Sequence, residues 1–271
     1  MVWREKRWQY VAVVADDAIV AGAVANLGYM GFGFAYVYDR LAGRGRREDA
    51  ITPLGLGAVV ADRPDVGVSR LSLPNVLVRH DPGAGRLEIR GGGFWADVAL
   101  EPAAPFDAGW DVPGGGPHRT RKRMGGHAVG RVSLDGVERP LEGQVLFDWS
   151  RGQPARETAW RWAAGAGRCG NRQIAWNLRT GFDDPAQVEN VLWLDGVPRP
   201  LGQAVIEPGS RWHMAGGGLE LTFEQDGEKV EDLDYGVVAS RYSQPWGRFR
   251  GVWEGEPVEA YGVVEDHWAR W

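Results

Sequence analysis

A group of acids, guanidinium groups and indoles lies near the middle of the chain. Asp148 is followed by Arg156, and Trp160 and Trp162 come shortly after. Residues two apart in an extended strand point to the same side, so both indoles would share one face beside the carboxylate. This pattern indicates a ligand site with acid/base chemistry. The structural alternative is that Asp148 pairs with Arg151 or Arg156 and that the indoles belong to the core.

A second group lies at the end of the printed sequence. Glu265 and His267 are two positions apart. In a strand their side chains would lie on one face, where the carboxylate and the imidazole could share a proton. The same residues could instead complete a barrel wall, and the sequence favours neither role decisively.

Glu189 leads directly into the apolar run Val191 to Leu194. A glutamic acid buried there would have a raised pKa and could act as the general acid that proton-initiated additions to alkenes require. Glu189 is therefore the first choice for a catalytic group, and a hydrogen-bonding role at a strand end is the alternative. Further candidates for ligand binding share a place in strand-like runs: Asn26, Trp176, Asn177, Trp193 and Gln244.

Several familiar site types are missing from the sequence. The five histidines show no close spacing for zinc, and Cys169 has no partner cysteine. No glycine-rich loop precedes a helical pattern, so the glycine runs at 91–93 and 114–116 are better interpreted as barrel corners or loops. We therefore expect no metal and no cofactor.

The composition is that of an ordinary globular protein, with 44% hydrophobic and 25% charged residues. Disordered and fibrous classes are excluded on this basis. The formal net charge of -5 is small and no basic face dominates, so nucleic acid is not an expected partner. The single cysteine and the lack of a secretory signal pattern predict a cytoplasmic protein. The oligomeric state does not follow from the sequence.

Residues 18–38 carry no charge and are long enough to span a bilayer. Glycines interrupt this run, and aromatic and β-branched residues alternate with small ones around Asn26-Leu27-Gly28. Such a pattern is typical of two strands and a turn, so no membrane span is expected.

Short alternating runs bounded by Gly, Pro, Asp or Asn recur along the chain, whereas no long segment has an apolar period of 3.6 residues. Asp135-Gly136 and Asp195-Gly196 each lie between apolar runs and predict hairpins. The 40 glycines fit tight corners, and the 14 tryptophans could line barrel interiors. The chain is therefore predicted to be all-β.

Two halves of the chain share landmarks in one order, which favours an internal duplication over the chance likeness of glycine-rich strands. The paired landmarks are Asn26-Leu27 with Asn177-Leu178, Pro53-Leu54-Gly55 with Pro200-Leu201-Gly202, and the glycines at 91–93 with those at 216–218. We predict two consecutive antiparallel β-barrels, at residues 1–152 and 153–271, of about nine strands each.

The chain resembles the bacterial family that carries the uncharacterised domain DUF2804. The stretches that carry the resemblance are Val24 to Tyr29, Thr120 to Lys122, Asp148 to Gly152 with Thr158 to Trp162, Glu189-Asn190, and Glu265 to Trp271. The family usually has aspartate at the position of Asn26, so this chain lacks that acid. The family is distantly similar to tandem lipocalin-like, AttH-like proteins, which include carotenoid hydratases, cyclase-type enzymes and lipid carriers. The resemblance implies two barrels and a lipophilic site.

Three functions stay open on the sequence alone. The first is a carrier that holds a lipid, terpenoid or polyketide in an aromatic-lined barrel cavity. The second is a hydratase, lyase or cyclase that needs no cofactor and moves a proton with Glu189, Asp148, or Glu265 and His267. The third is a carbohydrate-active enzyme, because tryptophan platforms with paired carboxylates also suit sugars. A carrier should retain its small lipophilic ligand through purification, whereas an enzyme with weak product affinity should not.

Overall fold

The computed structural model describes residues 4–181 and 189–271, and most of these residues lie in strands. No α-helix occurs within the two ranges. Over the same residues, no helical segment is available that could cross a membrane. The predicted all-β class is confirmed.

The strands are numbered in chain order. The first nine are β1 (Lys6–Ala15), β2 (Ala18–Asn26), β3 (Met30–Asp39), β4 (Arg44–Pro53), β5 (Ala58–Val59), β6 (Ser69–Ser72), β7 (Leu77–Asp81), β8 (Arg86–Gly91) and β9 (Phe94–Pro102). Four more follow, namely β10 (Phe106–Asp111), β11 (Pro117–Met124), β12 (Gly126–Leu134) and β13 (Val137–Gly152). The remaining nine are β14 (Glu157–Cys169), β15 (Arg172–Gly181), β16 (Val191–Leu194), β17 (Val197–Pro200), β18 (Val205–Glu207), β19 (Trp212–Gly216), β20 (Leu219–Asp234), β21 (Ala239–Trp253) and β22 (Glu256–Arg270).

The chain divides into two compact units. The first comprises Met1–Pro102 and Gly126–Gly152, and the second comprises Ala103–Gly125 and Gln153–Trp271. The antiparallel hairpin of β10 and β11 thus belongs to the second unit, although it precedes the boundary after residue 152 that the sequence predicts. The predicted boundary after residue 152 stays a prediction.

Each unit contains one barrel-like antiparallel sheet. The first sheet has the order β4-β3-β2-β1-β13-β12-β9-β8-β7-β6-β5, and the second has the order β17-β16-β15-β14-β22-β21-β20-β19-β18. In both, the first four strands lie side by side, the last strand pairs with the first, and the others follow in reverse order. The predicted pair of barrels is confirmed. The shared order agrees with the duplication, which stays a prediction.

The predicted turns lie where the sequence indicates them. Asp135 and Asp195 have φ values of 52° and 51°, and the glycine after each also has positive φ. These pairs connect β12 to β13 and β16 to β17, as expected for hairpin turns that need positive φ at both central residues. The uncharged run at 18–38 forms β2 and β3 with a turn between them.

One face of each sheet packs into an apolar core because apolar side chains alternate along the strands. The first core includes Val11, Val13 and Phe147. The second includes Trp176 and Phe249, whose rings meet edge to face at a centroid distance of 5.0 Å.

Glycine at position 165 makes room for the Trp176 ring. A Cβ atom at Gly165 would lie only 2.5 Å from that ring, so a larger residue would displace the indole. The second core is therefore closely packed between β14 and Trp176.

Candidate functional site

A row of polar and aromatic side chains crosses five strands of the second sheet. Trp162 on β14 pairs directly with Arg179 on β15 and with Glu265 on β22. Gln244 on β21 donates a hydrogen bond to Glu265 and pairs with Lys229 on β20. Residues directly opposite each other on neighbouring strands point to the same side of a sheet, so these five side chains share one face. We call them the central row.

The central row lies on the face opposite to the core of the second unit. Its chain neighbours Ala163, Leu178 and Val264 belong to that core, and successive residues of a strand point to opposite faces. The row is nevertheless mostly buried: Trp162, Arg179, Lys229 and Gln244 are buried and Glu265 is partly exposed. Buried polar side chains are costly unless they are paired, so this face is chemically unusual for a barrel exterior.

A β-bulge in β20 places Lys229 in the row. Before the bulge, Leu221 and Phe223 belong to the core. The pairing register shifts between Gln225 and Gly227, which leaves Asp226 as an extra residue. Odd-numbered residues after the bulge therefore point to the other face. If every residue of β20 were paired and no bulge were present, Glu228 would lie opposite Gln244 and Lys229 would point towards the core.

A second row lies beside the central row. His267 pairs directly with Trp160 on β14 and with Tyr242 on β21. The ring centroids of His267 and Trp160 are 4.2 Å apart, and those of His267 and Tyr242 are 5.0 Å apart. His267 Nε2 lies 3.0 Å from the hydroxyl of Ser240. Burial, and then the Lys229 ammonium, lowers the pKa of His267 to about 3, so the imidazole is neutral at pH 7.

The Glu265 carboxylate is held by two neutral donors. Trp160 Nε1 donates to Oε1 at 2.7 Å, and Gln244 Nε2 donates to Oε2 at 3.3 Å. Both oxygens are therefore oriented by side chains of neighbouring strands. The structure thus brings the Glu265 carboxylate and the neutral His267 imidazole together on one face beside indole rings, as the sequence predicts for strand neighbours two apart.

Glu189 forms a buried ion cluster with Lys122 and Arg179. Its Oε2 lies 3.2 Å from Lys122 Nζ, and its Oε1 is paired with Arg179 Nε. Burial raises the pKa of Glu189, but the two cations outweigh that effect and lower the pKa to about 2. The expected raised pKa is wrong, because the pattern around Glu189 indicates burial but not the cations. Glu189 is ionised at pH 7 and has no proton to donate.

The β10–β11 hairpin contributes two rings to this cluster. The ring centroids of Trp110 and His118 are 4.5 Å apart, and the Arg179 guanidinium lies 5.2 Å from the Trp110 centroid. Burial lowers the pKa of His118 to about 4, against the opposing effect of the Glu189 charge. His118 is thus neutral at pH 7.

Asn177 connects the ion cluster to the central row. Trp162 Nε1 donates to Asn177 Oδ1 at 2.7 Å, and Asn177 Nδ2 donates to the backbone oxygen of Glu189 at 2.8 Å. The two ends of the site are therefore linked by a short chain of buried hydrogen bonds.

The structure brings eight of the predicted site residues onto this face of the second unit: Trp160, Trp162, Asn177, Glu189, Trp193, Gln244, Glu265 and His267. Two other predicted residues belong to the first unit. Asp148 lies on β13, where its Oδ1 accepts a hydrogen bond from Ser150 at 3.2 Å. Asn26 holds a turn, because its side chain accepts from Gly28 N and donates to Ala58 O. Their predicted roles in a ligand site stay predictions.

Two predicted residues of the second unit lie elsewhere. Arg156 is exposed and donates to the backbone oxygen of Val237. Trp176 belongs to the packed core. Trp193 shares the face of Asn177, because it pairs with Ala175, and its buried Nε1 donates to the backbone oxygen of Ala104 at 2.7 Å. Their predicted part in ligand binding likewise stays a prediction.

The cations of this face, Lys122, Arg179 and Lys229, are absent from the sequence-based candidates. One signal could have found two of them. The chain has only three lysines among its 31 Lys and Arg residues, and Lys6, Lys122 and Lys229 are all buried, at 2%, 3% and 1% exposure. Lysine is normally a surface residue. In a chain whose surface cations are arginines, the few lysines are therefore candidates for buried or functional positions.

The whole chain, residues 1–271, matches the model of the domain of unknown function DUF2804. The chain belongs to this family. The family resemblance predicted from the sequence is confirmed, and it covers both units.

Solved structures share the fold of this DUF2804 chain at low sequence identity, whereas a search of curated proteins finds no match. A Nitrosomonas europaea protein provisionally called AttH has a TM-score of 0.65 at 13% identity, covering 97% of this chain and 92% of its own. Kievitone hydratase from Nectria haematococca has a TM-score of 0.53 at 10% identity, covering 96% and 88%. CghA, solved with Sch210972, has a TM-score of 0.57 at 10% identity, covering 98% and 88%. These likenesses establish the fold alone.

Proposed function

We propose that the chain binds a lipophilic small molecule along the central row and adds water to it, or removes water from it, by acid/base catalysis. The observation that carries this proposal is the Glu265 carboxylate, held by two neutral donors beside the neutral His267 imidazole and among indole rings. One solved structure of this fold is a hydratase, which supports hydration or dehydration as the reaction class.

The composition of the face suits an apolar ligand with few polar groups. Trp160, Trp162 and Tyr242 offer large rings, and the polar side chains between them are few and fixed by hydrogen bonds. Small-molecule sites combine these features, since apolar area supplies affinity and a few polar groups supply orientation. We place the ligand on this face rather than in the core around Trp176.

Glu265 and His267 receive separate roles in the proposed reaction. The Glu265 carboxylate takes a proton from water as the water oxygen bonds to an alkene carbon that a conjugated carbonyl has polarised. The same proton then returns to the neighbouring carbon, so that one water is added overall. A neutral imidazole is a weak base but a useful hydrogen-bond donor to the carbonyl oxygen on which charge develops. The Glu189 cluster stays fully ionised and positions the strands.

The test uses benzylideneacetone, a lipophilic enone, in heavy-oxygen water. Mass spectrometry should detect the heavy isotope in the hydrated product with the wild-type protein. Glu265→Gln should lower the rate by about 10² to 10⁴, the usual contribution of a general acid/base, while retaining enone binding. Glu259→Gln is the matched control, because Glu259 is an exposed glutamate of the same strand.

Two results would contradict the proposal. Equal rates in wild type and Glu265→Gln would remove Glu265 from the reaction. Binding of the enone without isotope incorporation, together with a lipophile that survives purification, would instead identify a carrier.

A further inference from the structure

Gln244 occupies the middle of the central row and is only 1% exposed. Its Nε2 donates to Glu265 Oε2, whereas its Oε1 is buried and accepts no hydrogen bond from any residue in the described ranges. Buried amide oxygens in folded proteins nearly always have a donor. A buried acceptor that lies between a carboxylate and a lysine and has no donor among residues 4–181 and 189–271 therefore points to a bound partner.

The orientation of the amide follows from its neighbour. Reversing the amide would place its oxygen against the Glu265 carboxylate, and two acceptors in contact repel each other. The Nε2 end must therefore face Glu265, and Oε1 must face away from it. On the side away from Glu265, Gln244 pairs with Lys229 of β20. Lys229 Nζ lies 3.4 Å from Glu231 Oε2 and 4.7 Å from the centroid of the Tyr242 ring.

We propose that Gln244 Oε1 accepts a hydrogen bond from a hydroxyl group of the ligand, so that the site selects lipophilic alcohols or phenols. This inference rests on the proposed function of the central row and specifies its ligand class. The nearby charges narrow the choice of donor. An alkylammonium group would be repelled by the Lys229 ammonium, and an ionised carboxylic acid has no proton to donate. A neutral hydroxyl meets both conditions.

Isothermal titration calorimetry with a matched pair of ligands tests this specificity. Para-butylphenol and para-butylanisole share a ring and an alkyl chain, but only the phenol has a donor. The wild-type protein should bind the phenol about tenfold more tightly, the effect of one net hydrogen bond to a buried acceptor. Gln244→Met should abolish the preference by weakening phenol binding, with anisole binding unchanged. Gln225→Met is the control, because Gln225 is an exposed glutamine of the neighbouring strand β20.

Each outcome decides between distinct conclusions. Equal affinities of the wild type for both ligands, or a preference that survives in Gln244→Met, would overturn the role of Gln244 while the lipophile site stands. Binding of neither ligand would overturn the proposed site and this inference together. Gln244→Leu, a second apolar variant of similar size, provides the same comparison if the methionine variant does not fold.

Discussion

The two units have the same strand order, yet the faces opposite their cores differ in chemistry. In the first unit, Tyr10, Phe34 and Tyr36 are buried outside the core, with the hydroxyls of Tyr10 and Tyr36 3.4 Å apart. In the second, the corresponding region carries the ion cluster of Glu189, the carboxylate of Glu265 and the buried lysines. The shared topology therefore determines which positions lie side by side across the strands. The side chains at those positions determine whether protons can be transferred there.

One arrangement is common to both units. An aromatic residue of the first strand pairs directly with a titratable residue of the last strand: Tyr10 with Asp148 in the first unit, and Trp160 with His267 in the second. What distinguishes the second unit is the β10–β11 hairpin, which adds Lys122 to Glu189. The difference therefore lies both in an added element and in the side chains that the sheet strands carry.

The largest expected effect that separates the two units comes from Glu189→Gln. Removing this charge leaves Lys122 and Arg179 buried without their carboxylate, so the free energy of unfolding should fall by about 3 to 5 kcal/mol in urea titrations. In the first unit, Glu138→Gln removes one partner of the exposed pair with Arg131 and should cost less than about 1 kcal/mol. Similar small losses in both variants would contradict the buried cluster.

Acid should weaken the second unit through His118. Its pKa falls from 6.5 in the unfolded chain to about 4 in the folded protein. Between these values the unfolded chain binds a proton that the folded protein excludes, so stability is constant above the upper value and declines as pH falls towards the lower one. The decline should be about 3 kcal/mol for this group.

The measurement is urea unfolding across that pH window. His118→Asn should reduce the decline by about 3 kcal/mol and leave the part that His267 contributes through its own low pKa. His213→Asn, at an exposed histidine of β19, should leave the decline unchanged. A decline of equal size in wild type and His118→Asn would show that His118 is not its source.

The smallest expected effect belongs to the first unit. Burial and the neighbouring Tyr10 raise the pKa of Tyr36 well above its usual value, so its hydroxyl is neutral; it lies 3.4 Å from the hydroxyl of Tyr10. Tyr36→Phe should therefore lower the free energy of unfolding by no more than about 1 kcal/mol and leave enone hydration unchanged. If Tyr36→Phe lost enone hydration activity, the functional site would extend to the first unit and the contrast between the two units would be weaker.

Local patterns account for what could be predicted from the sequence. Alternation and Asp-Gly turns identify the strands, and the spacing of Glu265 and His267 identifies their common face, because a strand repeats every two residues. The Glu189 cluster escapes such reasoning, since Lys122 reaches it from a distant hairpin. The Asn26 and Asn177 landmarks also occupy different places: Asn26 ends β2, whereas Asn177 lies within β15.

The bulge at Asp226 takes up one extra residue of β20, and the residues after it pair with β21 in an unbroken ladder. Asp226 Oδ2 lies 3.6 Å from Arg248 Nη2. Deleting Asp226 would therefore leave a regular ladder in which Gly227 still pairs with Trp246 and Lys229 still pairs with Gln244. A related chain that lacks the extra residue can carry the same central row, and its alignment with this chain places a one-residue gap at position 226.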